Sequence, residues 1–274
     1  RRHAAWRTGP FACQWKSEDR RYANMSAREL ALLGFGVGLA SFFAAYVTRW
    51  IAWHVEAVDR PSGGRKIHQK TTPLLGGLGI GLVIFLFCLY GLSQGWFASA
   101  DIHPQQILGF LLALGLLLVV GALDDIYRLP PILRFSFYAV AALLVIFSGT
   151  SIHEITRYQG NGSISLDGWT GTFTLFDWKI ALSFPGSFLT FFWLVSVTIA
   201  MKIMDGLDGL VTGQTIIGAG LIGALTLSTA FFQPSVTVLA LFIFMAFIGF
   251  LPWNINPARQ FLGESGSVIA GFSL

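Results

Sequence analysis

The feature that most constrains this chain is a series of eight long apolar runs. They lie near 30–52, 76–98, 106–123, 133–150, 187–204, 212–232, 236–251 and 266–274. A helix that crosses the hydrocarbon core of a bilayer needs about 20 such residues, with tilt and ragged ends widening the range. The first seven runs are therefore predicted spanning helices. The eighth stops at Leu274, well short of that length, so we expect a chain that is truncated at its C-terminus.

The runs lack the alternation of barrel strands, and backbone polar groups in lipid must be satisfied within the segment. Composition agrees, because only 12% of the residues are charged, whereas a soluble domain carries about 25%. We predict an all-α, polytopic membrane helix bundle over residues 25–274, with about eight transmembrane segments, the last incomplete. Residues 1–24 are polar and basic without an apolar h-region, which predicts a non-native or disordered tail rather than a signal peptide.

The distribution of Lys and Arg predicts the orientation of the bundle. One side carries Arg49, Arg60, Arg65, Lys66, Lys70, Arg128, Arg134, Lys202 and Arg259. The other side has only Arg157 and Lys179, both in the loop 151–186. The first side is therefore predicted to be cytoplasmic, in the cell inner (plasma) membrane. Because the basic residues are spread over loops, no nucleic-acid partner is expected.

The loop 151–186 is predicted to carry a small extracytoplasmic β-hairpin. Between Ser163 and Leu175 apolar and polar residues alternate weakly around Asp167-Gly168 and Thr170-Gly171. Alternation interrupted by turn residues is the signal of paired strands.

Three compact groups of acids lie at the ends of the apolar runs, all on the predicted cytoplasmic side. Asp124-Asp125 closes the third run, where two acids oppose the helix macrodipole. This favours a functional pair over a merely solvated helix end. Carboxylates at a membrane edge are costly and mark candidate sites. Acids that could meet on one face indicate a divalent metal and a phosphate substrate.

The second group is Asp205-Gly206-Leu207-Asp208-Gly209, between the fifth and sixth runs. Its acids are three residues apart, which places them on one side of a helical turn. Its glycines let backbone amides approach a ligand, although an ordinary Asp-Gly turn remains the alternative. The third group places Glu264 at a helix start, as a metal ligand or simply as a first-turn acid.

A basic stretch precedes Gly76-Gly77 and contains His68 and Lys70. It is either a phosphate grip or an ordinary loop on the positive side, and the residues alone give both readings similar weight.

Taken in order, these motifs resemble the polyprenyl-phosphate N-acetylhexosamine-1-phosphate transferase family, of the glycosyltransferase family 4 type. The matching stretches are 59–77 (Asp-x-Pro, Arg-Lys-x-His, Pro-x-x-Gly-Gly), 122–135 (Asp-Asp, Leu, Arg-Phe), 204–213 (Met-Asp-Gly-Leu-Asp-Gly), and 250–267 (Leu-Pro-x-Asn-x-x-Pro-Ala, Phe-Leu-Gly-Glu-Ser-Gly-Ser). The short His-x-x-x-x-Pro loop and Met-Asp-Gly-Leu-Asp-Gly are closer to the UDP-GlcNAc branch than to the muramoyl-pentapeptide branch. The resemblance implies transfer of a sugar-1-phosphate, GlcNAc-1-phosphate in the first instance, from a UDP-sugar to undecaprenyl or another polyprenyl phosphate. UMP is released, and a cell-wall or surface glycan is initiated.

The resemblance also implies roles for individual residues. The catalytic residues would be Asp124, Asp125 and Asp205. Substrate would be bound by Lys70 and His68 in the basic loop, by Gly206, Leu207 and Asp208 near the uridine, and by Asn254, Phe261 and Lys202, with Phe261 stacking on the uracil. The metal ligands would be Glu264, Asp125 and Asp124.

The implied cofactor is Mg²⁺, with Mn²⁺ as a substitute, since attack on a diphosphate needs its charge neutralised. This chain departs from the family pattern at Glu264, where Asp is usual, and at Ile199 and Lys202, where Asn is common. Lys202 is expected either to pair with an acid or to touch phosphate.

The implied partners are a UDP-sugar, a polyprenyl phosphate lipid and the bilayer, and the resemblance leaves room for a homodimer. Three alternatives stay open on the sequence. They are a phospho-N-acetylmuramoyl-pentapeptide transferase, an intramembrane prenyltransferase, and a carboxylate-lined transporter, which would place acids in broken helices at mid-membrane.

Overall fold

The computed structural model describes residues 27–61, 70–97, 102–157, 162–175, 178–228 and 232–274. The predicted tail 1–24 and His68 lie outside these residues. The helices are α1 (Ala27–His54), α2 (Gly76–Ser93), α3 (Pro104–Tyr127), α4 (Pro131–Phe147), α5 (Gly186–Met204), α6 (Leu210–Leu227), α7 (Pro234–Asn254) and α8 (Gly263–Ser273). Within the described residues, six are long and apolar enough to cross a membrane, namely all but α4 and α8. The predicted polytopic helix bundle is confirmed, with α4 as a shorter apolar helix of 17 residues and α8 of 11.

The bundle keeps apolar side chains on its outside as well as in its core. Helix α1 packs against α7 and α2, and α3 packs against α4. Large apolar side chains such as Phe43 and Trp50 on α1 and Val119 on α3 remain exposed. In a spanning helix these faces contact lipid, which is as apolar as the core.

Helix α8 packs against α2, α3, α5 and α6. Nine of its eleven residues are buried. It fits because glycines on its neighbours remove side chains from the contacts. A Cβ on Gly77 of α2 would lie 2.0 Å from the nitrogen of Gly266, and one on Gly121 of α3 would lie 2.4 Å from the Cα of Ser265. These two close approaches bring the first turn of α8 to the end of α3.

The loop 151–186 forms two small sheets instead of the single predicted hairpin. Strand β3 (Glu154–Thr156) pairs with β4 (Ser163–Ser165), and β5 (Trp169–Leu175) pairs with β6 (Trp178–Phe184), both antiparallel. The sequence predicted that Ser163–Leu175 would fold on itself as one hairpin. In the structure its two halves pair with different partners. The β5–β6 ladder joins seven residue pairs, whereas a hairpin folded about Asp167-Gly168 would join fewer, so the longer ladder is favoured.

A short two-stranded ladder closes the loop between α1 and α2. Strand β1 (Val58–Asp59) pairs antiparallel with β2 (Thr72–Pro73). The carbonyl of Pro73 then accepts the backbone N–H of Phe261 at 2.9 Å, and the carbonyl of Leu262 accepts the N–H of Gly77 at 2.7 Å. These bonds tie the α7–α8 loop to the start of α2.

Candidate active site

A cavity of about 920 Å³ opens where the α1–α2, α5–α6 and α7–α8 loops meet the ends of α3 and α8. Small-molecule sites commonly enclose about 300–1,000 Å³. Nine predicted site residues line it: Lys70, Asp125, Asp205, Gly206, Leu207, Asp208, Asn254, Phe261 and Glu264. Asp124 and Lys202 do not line it, and His68 lies outside the described residues. The cavity lining runs from Asp59 to Glu264, so the cavity brings together segments that are far apart in the chain.

Asp125 is held by the first turn of α8. Its Oδ1 accepts the backbone N–H of Glu264 at 2.7 Å, and its Oδ2 accepts the Ser265 hydroxyl at 3.2 Å. Exposed amides and the macrodipole make a helix N-terminus favourable for an anion. The carboxylate is therefore fixed in place while retaining lone pairs that face the cavity.

Asp124 has different partners from its neighbour. Its Oδ1 accepts the N–H of Leu129 at 2.6 Å, and its Oδ2 accepts Nη1 of Arg134 at 3.1 Å. Its side chain is only 4% exposed. In this arrangement Asp124 fixes the turn between α3 and α4.

Glu264 receives three donors on a single oxygen. Its Oε1 is contacted by Arg134 Nη1 at 3.1 Å, by the Tyr138 hydroxyl at 3.3 Å and by Lys202 Nζ in an ion pair. Lys202 also lies 5.6 Å from the centroid of the Tyr138 ring, within cation–π range. The acid predicted as a metal ligand is thus in direct contact with two cationic side chains.

The two acids of the α5–α6 loop are in different environments. Asp205 follows α5, and burial raises the pKa of its carboxyl to about 6, while a hydrogen bond from the Ser267 hydroxyl limits the rise. Asp208 accepts Asn256 Nδ2 and the N–H of Ala258, both at 3.0 Å. Asp208 therefore anchors the α7–α8 loop, while Asp205 remains directed to the cavity.

Asn254 joins the loops that form the cavity wall. Its Oδ1 accepts the N–H of Gly209 at 3.2 Å and the Thr212 hydroxyl at 2.7 Å, and its Nδ2 donates to the carbonyl of Gln260 at 3.2 Å. Gly209, with a φ of +76°, is the residue that precedes α6. A left-handed backbone is readily adopted by glycine, and the amide of Asn254 then satisfies a free N–H at the start of that helix.

Comparison with known proteins explains this constellation. The model of the family described as "Glycosyl transferase family 4" matches residues 107–274. The chain belongs to glycosyl transferase family 4. The resemblance drawn from the sequence motifs is thereby confirmed.

Individual relatives in the family carry related names. The chain is 30% identical over 228 residues to a "Probable undecaprenyl-phosphate N-acetylglucosaminyl 1-phosphate transferase" of Bacillus subtilis, covering 83% of this chain and 56% of that protein. It is 29% identical over 266 residues to a "Decaprenyl-phosphate N-acetylglucosaminephosphotransferase" of Mycolicibacterium smegmatis, covering 92% and 60%. It is 38% identical over 95 residues to a "Phospho-N-acetylmuramoyl-pentapeptide-transferase" of Staphylococcus epidermidis, covering 35% and 29%. The chain thus spans little more than half the length of the first two relatives.

Sequence reasoning gave no site role to Arg134 and Tyr138, although both contact Glu264 in this family member. They are four residues apart on α4 and therefore share a face of the helix. That spacing, on the helix that follows the Asp-Asp pair, was the available signal. It did not reveal the partner, because Glu264 is 130 positions away in the chain.

Enzymes that transfer phosphoryl groups typically use a divalent metal ion. Within the described residues, no group of three or more His, Cys, Asp or Glu side chains is arranged to hold a metal ion. Mg²⁺, however, commonly uses one or two carboxylates together with substrate phosphates. Asp125 and Asp205 meet that requirement, since both line the cavity and neither makes an ion pair within the described residues.

Proposed function

We propose that this protein transfers a sugar-1-phosphate from a UDP-sugar to a polyprenyl phosphate and releases UMP. In this reaction an oxygen of the lipid phosphate attacks the β-phosphorus of the UDP-sugar. The bond between that phosphorus and the oxygen bridging to the α-phosphate then breaks. The product is a sugar linked through a diphosphate to the lipid, which starts a cell-wall or surface glycan. GlcNAc-1-phosphate is the proposed group, in line with the names of the relatives from Bacillus subtilis and Mycolicibacterium smegmatis.

The observation that carries the proposal is the convergence of the predicted site residues on one cavity at one end of the bundle. It collects Asp125, Asp205 and Glu264 from three separate segments, and it adds Lys70, Asn254 and Phe261. The ammonium group of Lys70 can pair with a diphosphate. The ring of Phe261 and the side-chain amide of Asn254 are suited to contact a nucleobase. The acids lie at helix ends and in loops, which disfavours a transporter with acids at mid-membrane.

We propose roles for the residues of the cavity on this basis. Asp125 would activate the lipid phosphate for attack. Asp205 would hold the divalent cation together with Asp125. Lys70 would contact the diphosphate. Gly206, Leu207, Asp208, Asn254 and Phe261 would surround the uridine, and His68 stays a prediction in the same basic loop.

The proposed cofactor is Mg²⁺, replaceable by Mn²⁺, held by Asp125 and Asp205. When bound, such an ion neutralises phosphate charge that develops in the transfer. Asp124 and Glu264 were also predicted as ligands, but they are left out of the proposed set because both contact Arg134. The proposed location is the inner membrane, with the cavity facing the cytoplasm and a homodimer left open.

A direct test mixes the purified protein with UDP-GlcNAc, undecaprenyl phosphate and Mg²⁺ and measures released UMP. We expect UMP to be released only when the lipid phosphate is present. Parallel reactions replace the donor with UDP-N-acetylmuramoyl-pentapeptide, because the Staphylococcus epidermidis relative carries that name over 95 matched residues. If only the muramoyl donor releases UMP, the protein is instead a phospho-N-acetylmuramoyl-pentapeptide transferase. UMP from neither donor would overturn the proposed function.

A further inference from the structure

Glu264 belongs to a network of ion pairs that also includes Arg134, Lys202 and Asp124. Arg134 Nη1 lies 3.1 Å from both Asp124 Oδ2 and Glu264 Oε1, so one guanidinium bridges two carboxylates. Lys202 adds a second cation to Glu264. Two negative and two positive side chains thus neutralise one another where α3, α4, α5 and α8 meet.

These groups are only partly open to water, which strengthens the pairing. The exposed fraction is 24% for Arg134 and Lys202, 20% for Glu264 and 4% for Asp124. Charges removed from water attract more strongly but must be paired to be tolerated. A divalent ion that bound Glu264 through Oε1 would have to displace Lys202 or Arg134. An ion that bound through Oε2 would lie beside both cations, whose charge opposes its approach.

We propose that Lys202 and Arg134 are the permanent counter-cations of Glu264, so that this acid positions the site and does not coordinate the divalent metal. Glu264 instead joins α8 to α4 and α5, and its own backbone N–H holds Asp125. The inference deepens the proposed function and rests on it for the presence of a divalent ion.

Two departures from the family pattern acquire a common explanation. A longer acid stands at position 264 and a lysine at position 202, and the two side chains contact each other. The extra methylene of Glu264 and the long stem of Lys202 let their charged groups meet between α5 and α8. Replacing either residue alone therefore leaves the other without its partner.

The experiment measures Mn²⁺ binding to the purified full chain by electron paramagnetic resonance, without substrates and therefore without turnover. Glu264→Gln keeps the backbone N–H that holds Asp125, so it is expected to change the affinity by less than about tenfold, whereas loss of a direct ligand would cost about tenfold or more. Lys202→Met removes one counter-cation and releases a carboxylate, so it is expected to strengthen binding by about tenfold or to add a second Mn²⁺. Lys202→Arg keeps the charge and is expected to restore the wild-type binding curve.

A double variant, Lys202→Met with Glu264→Gln, should lose the gain, because the gain comes from the released carboxylate. The proposal is overturned if Glu264→Gln alone lowers Mn²⁺ affinity tenfold or more, or if Lys202→Met brings no gain. Lys202→Asn serves as a second variant should Lys202→Met not elute as a single species. Failure of the proposed function would show separately, as absence of UMP release by the wild-type protein, and would leave these Mn²⁺ comparisons interpretable.

Discussion

Asp124 and Asp125 are adjacent in the sequence but have different partners. Successive residues on a helix point about 100° apart, so Asp124 faces α4 and Arg134 while Asp125 faces α8. The motif predicted a functional role for both acids. It could not separate them, because the separating contacts come from residues 10 and 139 positions away.

Asp125→Asn is expected to lower UMP release by at least about 100-fold, since a carboxylate at a metal–phosphate site contributes several kcal/mol to transition-state stabilisation. The measurement is UMP release by purified protein, with membrane insertion confirmed by fractionation. Asp167→Asn is the matched control, because that acid pairs with His153 in the loop 151–186, at the other end of the bundle. Comparable loss in both variants would contradict a specific role for Asp125.

The stability contributed at Asp205 should depend on pH in metal-free protein. Burial raises the pKa of Asp205 from 3.8 to about 6, so the folded state holds this proton more tightly than the unfolded state. The favourable contribution is complete below pH 3.8 and is lost as the pH rises through about 6. Asp205→Asn removes the cost of the buried charge, so its relative stability should rise across that window and then level off.

The measurement for Asp205 is the difference in thermal unfolding midpoint between wild type and Asp205→Asn, in chelator, from pH 4 to pH 8. A difference that stays constant across this range would show that folding does not raise the pKa of the Asp205 carboxyl.

At the scale of elements, helices were predictable and strand pairing was not. Apolar runs are a local property, and each of the eight runs corresponds to a helix. The fate of Ser163–Leu175 depended on whether Trp178–Phe184 offered a longer ladder. The short ladder at Thr72–Pro73 gave no sequence signal, because two residues carry no alternation.

Gly121→Ala is expected to impair the site through α8. The new Cβ would lie 2.4 Å from the Cα of Ser265, so the first turn of α8 must move away from α3. The bonds from that turn to Asp125 would weaken, and overpacking costs about 1–3 kcal/mol. We expect a lower unfolding midpoint together with slower UMP release.

Gly115→Ala on the same helix is the matched control. Among the described residues its Cβ would meet Phe85, at an ordinary 3.6 Å. Equal effects of the two substitutions would show that helix propensity, rather than the contact with α8, governs the outcome.

At the scale of the whole molecule, the site lies at one end of the bundle and the small sheets at the other. The first end carries Lys70, Arg128 and Arg134, which predicts that this end faces the cytoplasm. The sequence could place these residues on a common side, since that needs only an alternating count of spans. It could not predict that Asp208 would hold the α7–α8 loop, because that contact depends on the three-dimensional packing of loops.

Single-cysteine reporters should confirm this orientation in intact cells. Cys88 is fully buried, so only Cys13 needs replacement by Ser. A membrane-impermeant maleimide is expected to label Ser163→Cys directly and Ile255→Cys only after the membrane is opened; both positions are exposed. The reversed pattern would place the cavity outside the cell.

The burial of α8 has a consequence for biogenesis. Its N-terminal turn supplies the amide that fixes Asp125, yet the ribosome makes α8 after α2, α3 and α5, which enclose it. Until residues 263–267 are inserted, the cavity of the nascent bundle is not assembled. Gly77 of α2 and Gly121 of α3, which later contact α8, are still exposed. The bundle formed by the earlier helices must therefore be loose enough to admit α8. Assembly of the cavity would then depend on the docking of α8, instead of growing helix by helix.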